Sequence, residues 1–590
     1  MRVRALLLVL VVCCAATTLV ATVLAQQSLS RQTGAGDWPF HNLDLRNSRY
    51  SPLSEIDTSN ASRLAAAWSY QAPGAMGISS TTPIVIDGVM YLGAGSQLMA
   101  LDAATGKPTW TFQAEQPFRG GGRGPAYGDG RVYAYGSSIL YAVDAKTGKL
   151  VPSFGDGGQL RIVNQALELK YPGKYPAGLD PTSLGYAMTT PPIYFNGVLY
   201  VGIPFSDSLL PGGLVIAVDG ATGALKWVFN TIPQGPEDDG WAITKDTWSS
   251  PERYGGGIWT TPAIDPELGL LYVNVGNPSP NYDGSSRRGS NLFTNSMVAL
   301  RLDTGRLAWH YQAIHHDIWD WDLSTGPVLF DVTVNGRTVR GAGSLGKNCV
   351  AYFLNRETGQ PLNPIVETVV PTRTDVPGEE VWPTQPMPYM SNGQPQLPFC
   401  STYPIVADPE LAKRVRPSYH PYQVGELVIT APGNLGGSNY GGPSFSTRTG
   451  LFYTTGRNDA WSVRVKPVGG TLKPAPGNKG HFGVIGELGK TGVTVSTALA
   501  AYDPATGRQA WYVQLPGGTS TGSLVTAGDV LVQASGPDLY VFDARSGKQL
   551  LKHALGRGVR ASPMTYRAGG KQHIAIIATS TVTALALPKE

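Results

Sequence analysis

Cysteine is scarce, four in 590 residues, and two of these, Cys13 and Cys14, lie in an N-terminal leader. A small scaffold built on disulfides is therefore excluded. Cys349 and Cys400 remain, and an oxidising compartment permits a bond between them that sequence alone does not establish. Charged residues are also few, at 15%. The formal net charge of +4 falls to +2 without Arg2 and Arg4, and no basic cluster stands out, which argues against a nucleic-acid surface. Beyond the leader no apolar run is long enough to span a bilayer.

The leader has the anatomy of a signal peptide: Arg2 and Arg4, an apolar stretch over residues 5–12, then Val23-Leu24-Ala25 before Gln26. Cleavage after Ala25 is expected, leaving residues 26–590 as one exported, periplasmic unit. Cys13 follows Val12 rather than a small residue, so no lipid anchor is expected.

What the chain has in abundance is turn formers, 73 Gly and 46 Pro, the mark of many short strands. One pattern recurs: an apolar strand, an acidic or polar residue, a Thr-Gly or Ser-Gly turn, and a second strand that often carries Trp. It runs from Leu101-Asp102 through Thr105-Gly106 to Trp110, and from Val218-Asp219 through Thr222-Gly223 to Trp227. It returns at Asp144, Arg301, Asn355, Asp503 and Asp543. Thr449-Gly450 differs: Ser444-Phe445-Ser446 and Leu451-Phe452-Tyr453 match the hairpin from Ala263 to Tyr272, so this turn joins the first two strands of a unit. An eighth unit is completed by the chain ends, with strand 582–587 lacking a turn after it and strand 65–70 lacking one before. The expected fold is all-β, an eight-bladed propeller of four-stranded, Trp-containing units closed by pairing of N- and C-terminal strands.

Spacing is uneven. Asp102 and Asp144 are 42 residues apart, Asn355 and Asp503 are 148, and most of the excess is a Pro-rich excursion over residues 361–442, read as a long loop across one face of the ring. A smaller insert occupies residues 234–257. Thr189 precedes Asp207 by 18 residues and Trp259 precedes Asn277 by 18, so adjacent units set Thr and Trp at one level and Asp and Asn at another, facing the same mouth.

The least ordinary stretch is His315-His316-Asp317-Ile318-Trp319-Asp320-Trp321-Asp322-Leu323. Carboxylates are seldom buried unless paired or metal-bound. In an extended segment Asp320 and Asp322 would point the same way. Two carboxylates about 4 to 5 Å apart repel by roughly 3 to 4 kcal/mol at an effective dielectric near 20. Either a proton is shared or a cation sits there. The two histidines are read as packing and hydrogen-bonding members of a wall, because the oxygen-rich set suits a hard cation.

The Trp repeats, Gly276-Asn277-Pro278-Ser279-Pro280 and His316-Asp317-Ile318-Trp319-Asp320 together resemble the quinoprotein dehydrogenases that bind pyrroloquinoline quinone, over nearly the whole mature chain. The doubled His and Asp322-Leu323 look closest to the glucose and quinate branch, without its membrane-spanning N-terminal domain. No Cys-x-x-Cys-His occurs, so a soluble, non-haem type is expected. The resemblance implies Asp320 as catalytic base and Asp207, Asn277 and Asp320 as metal ligands. Ser208 competes with Asp207, because the family usually has Glu there and one residue is inserted. Asp322 matches an extra carboxylate ligand of lanthanide-type relatives, so Ca2+ and a lanthanide ion both stay open. Lys347, 27 residues after Asp320, resembles the Lys or Arg that reaches the quinone oxygens. Trp259 resembles the floor under the cofactor ring, Arg123 and Thr189 the holders of its oxygens, and Asn439 a further cofactor contact, with Tyr440 where relatives usually have Trp. The family's vicinal cysteines are replaced by Pro117 and Phe118, and a frequent Glu by Ser80, so the ceiling of the site is built differently.

The expected function is oxidation of an alcohol, polyol or sugar hydroxyl, with electrons passed to a periplasmic cytochrome c or quinone. Two rival readings are a non-catalytic propeller scaffold of the same repeats and a sensor derived from the enzyme. A scaffold has no reason to keep Asp320, Asn277 and Lys347 together.

Overall fold

In the computed structural model, described over residues 36–73, 80–115, 123–204, 210–404, 406–465, 491 and 493–588, strands dominate and helices are few and short. The leader, Pro117, Phe118, Asp207 and Ser208 lie outside the described residues. Eight sheets follow one another around an axis as the blades of a propeller. The first consists of Ile84–Ile86, Val89–Ala94, Gln97–Asp102 and Pro108–Gln113. The next six span residues 126–160, 193–230, 263–312, 328–355, 444–516 and 524–554. The eighth joins Ala65–Gln71 to Thr581–Ala586, with Tyr70 opposite Val582 and Ala65 opposite Ala586, so the chain ends close the ring. Inner strands are covered on both faces and read as continuous apolar runs, such as buried Leu98 to Leu101. The outer strand Pro108–Gln113 alternates with solvent.

Two blades depart from four strands. The fifth has three, Val328–Val334, Arg337–Leu345 and Ala351–Asn355, and its fourth strand is reduced to a bridge between Leu354 and Pro361. Pro361 and Pro364 have no N–H to extend the ladder, and the chain departs there into the excursion. The seventh gains Tyr50–Ser51, parallel to Leu524–Thr526.

The repeated turn and the repeated indole form one contact. Asp102 accepts hydrogen bonds from the backbone N–H groups of Ala104 and Thr105 and from the Thr105 hydroxyl, shaping the turn. Gly106 then lies at φ 72° with the Trp68 ring of the preceding blade against its Cα. The Trp68 indole N–H donates to Ala103 O at 3.1 Å. Trp110 with Gly148, Trp227 with Gly305, Trp309 with Gly359 and Trp511 with Gly547 repeat this clasp between successive blades. Where the indole is absent the glycine finds substitutes: Gly223 meets Phe154, and Gly507 meets Met390 and Gln396 of the excursion.

The N-terminal segment, unassigned in the sequence reading, stitches the innermost strands. Trp38 bridges Val85, and the carbonyls of Leu45, Arg46, Ser48 and Arg49 accept from Ile264, Leu329, Phe445 and Val525, in five different blades altogether. Asn47 Nδ2 reaches the carbonyls of Thr261, Pro262 and Pro327. Arg49 Nε donates to Ser523 O at 2.6 Å, and burial lowers this guanidinium to about 9, so it stays charged at neutral pH. No helix among the described residues is long and apolar enough to cross a membrane.

A paired substitution isolates the clasp. Ala at Gly305, φ 68° and packed on Trp227, costs about 3 kcal/mol, from left-handed backbone strain plus overpacking. Ala at Gly450, φ 69° with open space beyond, costs only the backbone part, about 1 kcal/mol. Denaturant midpoints of the two variants measure the difference, and equal shifts would remove the indole contact from the account.

Candidate active site

The stretch 315–323 is a loop following strand Leu307–Gln312, not an extended segment. Asp317 organises it. Its fully buried carboxylate accepts from Trp319 N at 2.8 Å, Trp321 N at 2.7 Å and Asn295 Nδ2 at 3.0 Å, so the loop's amides are satisfied from within. Burial raises the Asp317 carboxyl above its ordinary range, against these donors. Trp319 and Trp321 stack at 5.4 Å, and Tyr419 of the excursion meets both edge-on. Asp320 then turns through a left-handed φ of 63°.

Although the backbone is not extended, the carboxylates of Asp320 and Asp322 share a cation, and that cation is Lys347. Its Nζ stands 2.5 Å from Asp322 Oδ2 and 3.4 Å from Asp320 Oδ1, with all three side chains buried. Asp322 Oδ1 accepts from Asn277 N at 2.6 Å, which joins Asn277 to the same knot. Asp320 also accepts from Asn281 Nδ2 at 3.3 Å and from the Tyr282 hydroxyl at 3.2 Å. These two partners were not anticipated, although they lie in the loop that continues from Gly276-Asn277-Pro278-Ser279-Pro280. Lys347 is fixed by its backbone: its N–H donates to Asp322 O and its carbonyl accepts from Gly437 N. Two residues on, Cys349 is bonded to Cys400, a closure over 51 residues that contributes about 4 kcal/mol by loop entropy.

A second group surrounds Trp259. The Arg123 guanidinium donates to Trp259 O and lies 4.7 Å over the Tyr440 ring. Burial lowers Arg123 to about 10, leaving it cationic. The Tyr135 hydroxyl accepts from Arg123 N and donates to Thr189 O at 2.6 Å, so one phenol sets both positions. Asn439 is less engaged: its Nδ2 donates to Leu435 O and its Oδ1 accepts from Tyr440 N, within its own loop. Asp207 and Ser208, outside the described residues, cannot be placed in the group.

Asn277 Oδ1 and Thr189 Oγ1 are among the buried polar side-chain atoms that have no protein partner. A buried amide oxygen without a donor is what a cation ligand looks like before the cation binds, and buried, cationic Arg123 suits an anionic planar group. Among the described residues no three His, Cys, Asp or Glu side chains converge as a metal cluster.

The doubled histidine holds the roof. His316 Nε2 pairs with Glu379 at 2.7 Å and Nδ1 with Gly289 O at 2.7 Å, while His315 contacts Glu367, Gln312 and Trp382. Every one of these partners is an oxygen or a ring of the wall, in keeping with a packing role. Burial acts to raise the Glu379 carboxyl, but the hydrogen bond and charge of His316, with Arg287 and the Gly284 N–H, outweigh it and hold the group below the ordinary 4.5.

The ring is a fold shared with solved alcohol dehydrogenases. Residues 38–476 and 517–574 match the family model for the glucose/ethanol/alcohol dehydrogenase β-propeller domain that takes pyrroloquinoline quinone. The chain is 30% identical over 578 residues to the dehydrogenase subunit of alcohol dehydrogenase (quinone) from Gluconacetobacter polyoxogenes, covering 92% of this chain and 71% of the relative. It is 28% identical over 559 residues to quinohemoprotein alcohol dehydrogenase ADH IIB of Pseudomonas putida, covering 93% and 74%. The crystal structure of quinohemoprotein alcohol dehydrogenase from Comamonas testosteroni superposes with a TM-score of 0.74 at 25% identity, over 96% of this chain and 82% of that one. The chain belongs to the pyrroloquinoline quinone-dependent alcohol and glucose dehydrogenase family and is an oxidoreductase.

The Glu379 anchor is pH-dependent with a definite sign. Because its folded value is depressed, the stability it contributes is fully present above the ordinary 4.5 and is lost as pH falls through the lower folded value. Protection factors for amide exchange across the excursion, taken against the intrinsic rate at each pH, are expected to fall in that acid window in the native chain and to be low already at neutral pH in Glu379→Gln. An excursion equally protected in both would show that the anchor contributes nothing.

Proposed function

We propose that the protein, exported to the periplasm, oxidises the hydroxyl of an alcohol, polyol or sugar with Asp320 as general base. Once bound, pyrroloquinoline quinone supplies the hydride acceptor and a hard cation, Ca2+ or a lanthanide ion, the Lewis acidity. The observation that carries the reading is the setting of Asp320. Its buried carboxylate has Lys347, Asn281 and Tyr282 as donors, all of which favour the ionised form that can take a proton.

The other side chains have separable tasks. Asn277 Oδ1 and the Asp320 carboxylate, with Asp207, would hold the cation. Trp259 would lie under the cofactor ring, while Arg123 and Thr189 would take its carboxylate or carbonyl oxygens, with Asn439 a peripheral contact. Lys347 would stabilise negative charge developing on the reduced cofactor's oxygens. The buried indoles of Trp319 and Trp321, which flank Asp320 in the chain, and the ring of Tyr419 packed on both would keep water out of its loop. Asp322, with one oxygen on Asn277 N and the other on Lys347, would anchor both. The names of the relatives support alcohols as the substrate class. A periplasmic cytochrome c or quinone would accept the electrons.

Reconstitution of the apo-protein with pyrroloquinoline quinone plus calcium, or plus a light lanthanide, followed by dye reduction across a panel of alcohols, polyols and sugars, tests the reading. Turnover is expected with at least one ion and to fall by roughly 10²- to 10⁴-fold in Asp320→Asn. Uptake of the quinone with undiminished turnover in that variant would remove Asp320 as the base. Absence of quinone uptake would favour the scaffold.

A further inference from the structure

The cation held between Asp320 and Asp322 belongs to the protein itself. Lys347 Nζ touches Asp322 closely, at 2.5 Å, and Asp320 loosely, at 3.4 Å. Asn277 Oδ1, the amide oxygen of the same knot, has no partner. The ammonium thus neutralises one of the two carboxylates that a hard cation would need, while the side-chain oxygen of Asn277, whose backbone N–H bonds Asp322, stays without a partner.

We propose that Lys347 is a built-in competitor for the cation site: in the cofactor-free protein its ammonium stands in for the metal, and a cation must displace it from Asp320 before it can bind. The inequality of the two contacts gives the displacement a direction. Asp322 keeps the ammonium, since it is the nearer partner and is itself fixed by Asn277 N at 2.6 Å, whereas the Asp320 contact is the one that opens. Backbone bonds to Asp322 O and from Gly437 N, together with the adjacent disulfide, hold the lysine's main chain still, so only the side chain shifts. Two consequences follow from charge alone. The ammonium lowers the charge of the two carboxylates from −2 to −1, which weakens the pull on stray monovalent cations while the site is empty. A di- or trivalent ion wins, because its attraction to Asp320 exceeds that of a single charge at similar distance.

The inference rests on the cation site of the proposed function, and its test separates the two. Terbium(III) titration of the cofactor-free protein, followed by luminescence sensitised through the neighbouring indoles, reads affinity without turnover, with calcium added as a competitor to report its own. Lys347→Met is expected to bind terbium about tenfold or more tightly than the native chain. Lys347→Arg, which keeps the charge, is expected to stay near the native affinity. Lys347→Gln serves in place of Met if burying an unpaired Asp322 beside an apolar chain prevents folding, as circular dichroism would show. Native, Met and Arg forms of equal affinity, or a weaker Met form, would overturn the competitor and leave the cation site standing. Absence of terbium binding in every form would overturn both.

Discussion

Eight sheets set radially around an axis leave an opening at the centre, and every polar group that faces it must find a partner or a ligand. Over residues 38–51 the chain supplies its own plug, with Asn47 and Arg49 spending their donors on backbone carbonyls of four blades. Polar side chains ahead of the innermost strands stay buried with no protein atom to satisfy them, Thr189 Oγ1 among them. A ring with unmet hydrogen-bonding capacity of this kind is a receptacle, and the unmet atoms describe what it receives. Near Arg123 they suit an anionic group, and near Asn277 they suit a cation.

The excursion completes the receptacle from above. It substitutes for a missing indole at Gly507, covers Trp319 and Trp321 through Tyr419, and is fastened by His315 and His316 on one side and by the Cys349–Cys400 bond on the other. The second fastening lies two residues from Lys347. Roof and charge knot are therefore mechanically one piece, which explains why a length of chain with little regular structure stays attached to a site that needs positions held within a fraction of an ångström.

The ring was legible in the sequence because its signal is repeated: Asp or Asn, then a left-handed Gly, then Trp, each required by the same clasp. The three-stranded fifth blade was not, since a Thr-Gly turn at Gly359 promises a fourth strand and only the ensuing prolines withdraw it. Nor was the plug, whose donors bond carbonyls from blades scattered along the chain and so leave no periodic trace. At the site, Asp320, Asp322 and Lys347 were each singled out and a cation or shared proton between the two acids was expected, but that Lys347 is this cation was not read. Asn281 and Tyr282 were missed because polar residues beside a Pro-rich turn look like ordinary loop. Asp322 was ambiguous for a physical reason: ligand and lysine anchor are the same carboxylate, and which it serves depends on the occupant.

The loop that bears Asp320 shows how such a site is kept ready. A non-glycine residue in the left-handed region costs on the order of 1 kcal/mol or more, and His316, four residues earlier, is left-handed as well. Asp317 offsets that cost with three buried hydrogen bonds, each contributing about 0.5 to 1.5 kcal/mol. Its carboxylate is consumed by two amides of the loop and by Asn295, while Asp320, three residues on, is turned outward to face Lys347 and Tyr282. The two acids differ in fate because of backbone geometry, not residue type. One is surrounded by amide N–H groups that fold the loop about it, and the other is carried by that folded loop into a pocket of side-chain donors that can be exchanged for a ligand.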